Sequence, residues 1–181
     1  APAILVEGPK GVGKTSTAAR RASARWYLDD PAQRELLLAD PSFQAAPPGT
    51  LLIDEWQREP AVWDTVRRQV DSGAPPGRFV LTGSAAPSPA APTHSGAGRV
   101  LSLRMRPLAL HERGHCQPAV SIGELLVGRD APIAGQAEFG LRDYLEAIES
   151  SGLPALHEAP ARYRRAQLDG YLRRIVEHDL P

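Results

Sequence analysis

The sequence has little cysteine, little lysine and no long apolar run. Its one cysteine, Cys116, cannot form an internal disulfide, which predicts a protein of a reducing compartment, the cytoplasm. No apolar run approaches the roughly 18 residues that a membrane-spanning helix needs. The first residues also lack the basic segment of a secretory signal peptide. The sequence therefore predicts no association with a membrane.

Net charge is absent as well, since 21 Lys and Arg residues balance 21 Asp and Glu residues in a chain of 181. This balance excludes a broadly basic nucleic-acid coat and an acidic disordered tail. Only two of the basic residues are lysines, and both, Lys10 and Lys14, lie in one short glycine-rich segment. Hydrophobic residues make up 42% of the chain, which is enough for a globular core.

Short apolar runs alternate with helical patterns in the first part of the chain. We predict strands at 3–7, 26–28, 50–53, 78–82 and 100–103, and helices at 13–24, at 32–39 and from Pro60 onward. This alternation is typical of a parallel α/β sheet. Residues 85–98, rich in Pro and Ala, form a low-complexity loop between the last two strands.

The sequence changes character at Pro107. From there to the end it shows no strong strand pattern, and we predict a short helix at 121–127 and amphipathic helices at 141–148 and 168–176. We therefore predict two regions, an α/β core over 1–106 and a small helical region over 107–181. The chain starts without Met and stops within a helical pattern, so we expect a fragment of a longer protein.

The segment that contains both lysines fits the pattern G-x-x-x-x-G-K-[ST], after a predicted strand and before a predicted helix. Glycines let the backbone curl so that successive N–H groups face one phosphate chain, and the helix N-terminus adds partial positive charge. We expect Lys14 to reach the β- and γ-phosphates and Thr15 to bind Mg²⁺. Lys10 faces either the phosphates or solvent. The predicted nucleotide-binding residues here are Gly8, Pro9, Lys10, Gly11, Val12, Gly13, Lys14, Thr15 and Ser16.

An acidic pair, Asp54 and Glu55, ends the apolar run at 51–53. Ligands collect at the C-terminal ends of strands in parallel sheets. A carboxylate there can hold Mg²⁺, the role we predict for Asp54, and the next one can act as general base toward a water molecule, the role we predict for Glu55. The alternative is a solvated acidic turn, which the preceding glycine-rich segment disfavours.

Two further features follow or precede a predicted strand. Thr82 ends the strand at 78–82 and Ser84 follows two residues later, and either could position water or sense the γ-phosphate. Arg99 precedes the strand at 100–103 and could stabilise transition-state charge in its own chain or on a neighbouring subunit. Because Arg99 is one of 19 arginines, its position alone favours an ordinary surface role.

Three weaker features favour structural interpretations. The cluster of His111, His115 and Cys116 lacks a fourth ligand, so we do not predict a zinc site. Trp56 is better explained by packing than by base stacking. The arginines at 162–174 have acidic neighbours and indicate a solvated helix face.

Taken in order, several motifs resemble one family, the prokaryotic AAA-superfamily P-loop ATPases with a C-terminal domain of unknown function. They are the phosphate-loop pattern at 8–15, D-E-x-Q at 54–57, T-G-S at 82–84, A-G-R at 97–99, M-R-P-L at 105–108 and S-G-x-P at 151–154. The resemblance implies a P-loop NTPase core, a three-layer α/β sandwich with a parallel sheet of order 5-1-4-3-2, followed by a small helical region.

The resemblance also implies ligands and roles. It implies ATP and Mg²⁺, with Lys14 and Thr15 on the nucleotide and metal, Asp54 on the metal and Glu55 as base. It implies Thr82 or Ser84 as a sensor of the γ-phosphate. It implies Arg99 as an arginine finger or a γ-phosphate contact, with an assembly of copies of the chain through Arg99. It also implies a further C-terminal domain linked to DNA.

We predict an enzyme, an ATPase that binds ATP and hydrolyses it with Mg²⁺ to drive a conformational change. One alternative is a nucleotide-held switch without significant turnover. Another is a small-molecule kinase, which needs an acceptor pocket and a mobile lid. The acidic pair favours water as the acceptor and so favours hydrolysis.

Overall fold

The structure, a computed structural model, describes residues 1–83, 96–129, 133–136 and 138–178. The chain divides into two compact units, Ala1–Arg106 and Pro107–Pro181. The first contains β1 Ala3–Glu7, α1 Lys14–Ala19, β2 Ala24–Tyr27, α2 Pro31–Ala39, β3 Leu51–Asp54, a 3₁₀ turn Trp56–Arg58, α3 Ala61–Asp71, β4 Phe79–Thr82 and β5 Val100–Arg104. The second contains α4 Ile122–Leu126, α5 Leu141–Glu149, α6 Pro154–His157 and α7 Ala161–His178.

A five-stranded parallel sheet forms the centre of the first unit. Its order is β2-β3-β4-β1-β5, which is the predicted order 5-1-4-3-2 counted from the other edge, so the predicted fold class is confirmed. Phe79 of β4 is in register with Ala3 of β1 and Leu51 of β3, and Ala3 is also in register with Val100 of β5. The strands therefore end together, and the loops that follow them meet at one edge of the sheet, the carboxyl edge.

Helices cover both faces of the sheet. Every residue of β3 and β4 is buried, as expected for strands enclosed on two sides. On one face Leu37 of α2 and Val66 of α3 join the main core cluster, and on the other Ala18 of α1 packs on Leu52 and Val80. Full burial of such aliphatic side chains contributes about 1.5–3 kcal/mol each, so these two layers hold the sheet that positions the loops.

The helix predicted at 13–24 is wrong in its extent, since α1 ends at Ala19. The sequence here is rich in alanine and has no helix breaker, which is why its propensity favours a longer helix. The chain must instead turn so that β2 can pair with β3. The amides of Ser23 and Ala24 both donate to the Thr50 carbonyl, at 2.8 and 3.2 Å, and fix that turn.

Two of the motifs meet inside the second unit. The Leu108 amide donates to the Gly152 carbonyl at 2.7 Å, and a Cβ on Gly152 would lie 2.8 Å from the Leu108 carbonyl oxygen. This close approach of two backbones needs a residue without a side chain. The M-R-P-L and S-G-x-P segments thus have a packing role in common. The described residues of this unit form helices and loops without a strand.

Candidate nucleotide-binding site

The candidate site is built where β1, β3 and β4 end at the carboxyl edge. Thr82, the last residue of β4, is in register with Val6 of β1 and Asp54 of β3. The glycine-rich loop after β1 therefore begins at the same edge as the acidic pair at the end of β3, with β4 between them. The structure brings together Lys14, Thr15, Asp54 and Thr82 at this edge.

The phosphate loop between β1 and α1 depends on glycine for its path. Gly8, Gly11 and Gly13 all have positive φ, at 152°, 75° and 96°. A Cβ on Gly8 would also collide with the carbonyl oxygen of Met105, whose amide donates to the Glu7 carbonyl at 2.7 Å just after β5. Position 8 therefore requires glycine for two reasons: its backbone conformation is unusual, and the Met105 carbonyl after β5 leaves no space for a side chain.

Lys14 is held inside this loop. Its side chain is 7% exposed, and Nζ donates to the carbonyl oxygens of Gly8 at 2.8 Å and Pro9 at 2.9 Å. Burial lowers the pKa of the Lys14 ammonium; Glu55 and Asp54 raise this pKa, whereas Lys10 lowers it. A buried cation whose hydrogen bonds go to neutral carbonyls is well prepared for an incoming phosphate.

The Asp54 carboxylate is the centre of the polar cluster. Asp54 is 7% exposed, and its Oδ1 accepts from the Thr15 hydroxyl at 2.8 Å and from the Thr82 hydroxyl. A carboxylate and a hydroxyl at this separation supply the oxygen ligands that Mg²⁺ takes beside a nucleotide. The residues present therefore fit the metal that the sequence predicts. Thr82 donates a hydrogen bond to Asp54 in this structure, which places it beside the predicted metal ligand.

Glu55 follows Asp54 in an unusual backbone conformation. Its φ of 53° places it in the left-handed region, which a residue with a side chain seldom adopts. Glu55 thereby turns the chain sharply from β3 into the turn Trp56–Arg58. The Glu55 carboxylate accepts a hydrogen bond from Nε2 of Gln57. Such local strain is often found where function requires a particular orientation.

The remaining loop residues have different surroundings. Val12 is buried, at 1% exposed, and anchors the loop through its apolar side chain. Pro9, Lys10 and Ser16 are all exposed. Ser84 lies outside the described residues, so the choice between Thr82 and Ser84 stays a prediction.

Arg99 lies at the opposite edge of the sheet from the phosphate loop. It precedes β5, so it stands at the amino edge, where its Nε contacts Asp71 Oδ1 at 2.5 Å at the end of α3. Both side chains are about two-fifths exposed, at 42% and 40%. The structure does not bring Arg99 to the phosphate loop of its own chain. A role there would need a neighbouring copy.

Three residues at the carboxyl edge have no role in the predictions from sequence. Arg104 ends β5 in register with Glu7, and Arg106 follows closely, so both stand at the same edge as the phosphate loop. Arg104 ends a strand and Arg106 follows it, whereas Arg99 precedes the same strand. Strand position therefore favours Arg104 and Arg106 over Arg99 as arginines near the phosphate loop. Gln57 enters the patterns only as the last letter of D-E-x-Q, without a role.

The weaker features have structural surroundings. Trp56 is 5% exposed and packs against Trp63 with ring centroids 5.0 Å apart, so the packing interpretation is confirmed. Within the described part of the chain, no group of three or more His, Cys, Asp or Glu side chains is placed to hold a metal ion. None of the described helices combines the length and apolar character needed to cross a membrane.

Comparison with known proteins gives relatives that carry no assigned function. The chain is 31% identical over 119 residues to the uncharacterized protein Mb2031c of Mycobacterium bovis, and equally to the uncharacterized protein Rv2008c of Mycobacterium tuberculosis. Each match covers 63% of this chain and 27% of the relative. The chain thus spans about a quarter of the length of these curated relatives. Their names give no support to the predicted C-terminal domain linked to DNA, which stays a prediction.

The family assignment is direct. Residues 1–113 match the AAA domain family AAA_14, a span that contains the whole sheet and every residue of the candidate site. A domain of this kind is nucleotide-binding and ATPase-like. With the match covering well over half of its length, the chain belongs to the AAA domain family.

Proposed function

We propose that this chain binds ATP with Mg²⁺ at the carboxyl edge and hydrolyses it to ADP and phosphate. The observation that carries the proposal is the pair of hydrogen bonds that Asp54 accepts from Thr15 and Thr82, beside the buried ammonium of Lys14. A cation, a hydroxyl and a carboxylate that meet at the strand ends are the parts that phosphoryl transfer to water requires. The coupling of hydrolysis to conformational change is part of the same proposal.

Each residue has a distinct task in this mechanism. Backbone N–H groups of the loop that starts at Gly8 surround the phosphates, and Lys14 exchanges its loop carbonyls for β- and γ-phosphate oxygens. Thr15 and Asp54 hold Mg²⁺, which neutralises developing charge on the phosphate oxygens when it is bound. Thr82 fixes Asp54 and shares in sensing the γ-phosphate.

Glu55 supplies the base. The oxygen of a water molecule bonds to the γ-phosphorus while the bond from that phosphorus to the bridging oxygen of ADP breaks. The proton leaving the water passes to the Glu55 carboxylate, which returns it to solvent. The electrostatic effect of Glu55 on Lys14 supports its proximity to the phosphate loop.

The test is phosphate release from the purified protein with ATP and Mg²⁺, beside Lys14→Ala and Glu55→Gln. We expect Lys14→Ala to lose ATP binding, and Glu55→Gln to keep binding while its turnover falls by about 100-fold or more. Equal phosphate release from all three proteins contradicts the proposal.

Two other results would assign a different function. ATP binding that Lys14→Ala abolishes, without phosphate release above background in the wild type, indicates a nucleotide-held switch. Transfer of phosphate to an added metabolite in place of water indicates a kinase. Both alternatives use the same phosphate loop, so only the fate of the γ-phosphate separates them.

A further inference from the structure

We propose that Gln57 is a positioning residue that holds the Glu55 carboxylate for its work as general base, with Gly83 providing the space for the Gln57 side chain. The inference rests on the proposed function, since Glu55 needs positioning only if it activates water. It adds a role for Gln57 and Gly83, which lie in different parts of the chain, the turn after β3 and the residue that follows β4.

The orientation of the Gln57 carboxamide follows from charge. An ionised carboxylate only accepts hydrogen bonds, so the group facing Glu55 is the Gln57 amide nitrogen, Nε2. The carbonyl oxygen, Oε1, therefore points the other way. It is buried and has no hydrogen-bond partner among the described residues. Because an unpaired buried acceptor costs stability, packing alone does not explain why a carboxamide stands here.

Gly83 is the neighbour that makes this arrangement fit. A Cβ at position 83 would collide with Gln57 Oε1 and lie 3.3 Å from Trp56 Nε1. Gly83 is not among the glycines with positive φ, so its backbone would accept a side chain. A side chain at this position would therefore displace the Gln57 carboxamide, although the backbone itself would accept it.

The turn that carries Gln57 is itself fixed. Trp56, its first residue, is buried and packs against Trp63 of α3. Glu55 and Gln57 thus flank Trp56, whose packing anchors the turn, and Gly83 lies against the Gln57 carboxamide. Orienting partners of this kind commonly affect rate by about 10–100-fold when they are removed from a metal or catalytic site.

The experiment compares Gln57→Ala, Gly83→Ala and the double variant, measuring ATP affinity and turnover separately. We expect each single variant to bind ATP within about twofold of wild type while turnover falls by about 10-fold or more. Combining the two should add little, because Gln57→Ala removes the atom with which the new Cβ collides. Gln57→Ala should also have no further effect in a Glu55→Gln background.

Gln69→Ala is the matched control. Gln69 on α3 donates its side-chain amide to the Ser42 carbonyl at 3.0 Å and lies outside the candidate site, so its removal should leave turnover unchanged. Thermal unfolding of every variant verifies that the fold is retained.

The outcomes distinguish this inference from the proposed function. If wild type hydrolyses ATP and Glu55→Gln does not, but Gln57→Ala turns over like wild type, the positioning role is overturned alone. Multiplying effects of Gln57→Ala and Gly83→Ala would also overturn it. If wild type and Glu55→Gln release phosphate equally, the proposed function fails, and the inference fails with it.

Discussion

The two edges of the parallel sheet are chemically different. At the carboxyl edge, Lys14, Thr15, Asp54 and Thr82 form one largely buried polar cluster. At the amino edge, Arg99 and Asp71 form an ion pair between half-exposed side chains. Both edges hold charged groups and glycines of positive φ. Among the described residues, the carboxyl edge differs because its charged and polar groups come from several strands and meet in a buried cluster. The proposed function therefore belongs to the edge at which the parallel strands end.

The largest expected effect comes from Asp54, the proposed metal ligand. Asp54→Asn keeps the size of the side chain but removes the charge, and we expect turnover to fall by about 100-fold, equivalent to about 3 kcal/mol of transition-state stabilisation. Steady-state phosphate release over a Mg²⁺ titration measures this loss. The same change at the amino edge, Asp71→Asn, is the control and should stay within about twofold of wild type. Equal losses of turnover in Asp54→Asn and Asp71→Asn would contradict the proposal that only the carboxyl edge takes part in hydrolysis.

A structural effect of intermediate size is expected in the phosphate loop. Gly8→Ala combines a strained backbone with a collision against Met105, and we expect it to lower the free energy of unfolding by about 2–4 kcal/mol. Gly11 also has a positive φ, but a Cβ added there would meet no atom within 4 Å. Gly11→Ala should therefore cost only about 1 kcal/mol. Chemical denaturation measures both, and equal losses would show that the contact with Met105 is unimportant.

Arg99 should matter little to either stability or rate. Its partner Asp71 also pairs with Arg67 at 3.3 Å, and the Arg99 side chain is half exposed. We expect Arg99→Ala to lower the free energy of unfolding by less than about 1 kcal/mol and to leave turnover within about twofold. A tenfold loss of turnover that grows with protein concentration would instead indicate that Arg99 acts on the site of a neighbouring copy.

The smallest effect is a pH dependence in the second unit. Burial lowers the pKa of His157, the nearby Arg113, His115 and Arg164 lower it further, and Glu158 opposes them. Because the unfolded chain then binds a proton at higher pH than the folded one, stability should be full above about pH 6.5 and fall as the pH drops below it. His157→Gln should flatten this fall in the unfolding temperature between neutral and mildly acidic pH. An unchanged fall would exclude His157 as its source.

Much of the carboxyl edge was predictable from the sequence. The phosphate-loop pattern, the apolar run before Asp54 and the strand before Thr82 each mark a strand end, and parallel strands bring such ends together. The hydrogen bond from Thr82 to Asp54 follows from the pairing of β3 with β4, and the loop after β1 brings Thr15 of α1 to the same edge. The order of the strands came from the family resemblance and is confirmed.

Other features depend on tertiary structure that a local pattern does not show. The end of α1 at Ala19 is set by the pairing of β2 with β3, which overrides the helix propensity of the sequence. The contact between Gln57 and Glu55 depends on the left-handed conformation of Glu55, which its residue type disfavours. The position of Arg99 has a simpler explanation, because a residue before a parallel strand stands at the opposite edge from residues after one.

The most direct test of the difference between the edges is the dissociation constant of ATP, measured in the presence of Mg²⁺ for wild type, Lys14→Ala and Arg99→Ala. Lys14→Ala removes a buried cation that donates to the phosphates, and we expect affinity to fall by about 100-fold. Arg99→Ala should bind ATP within about twofold of wild type. Unchanged affinity in Lys14→Ala, or a loss in Arg99→Ala of similar size, would contradict the assignment of the nucleotide site to the carboxyl edge.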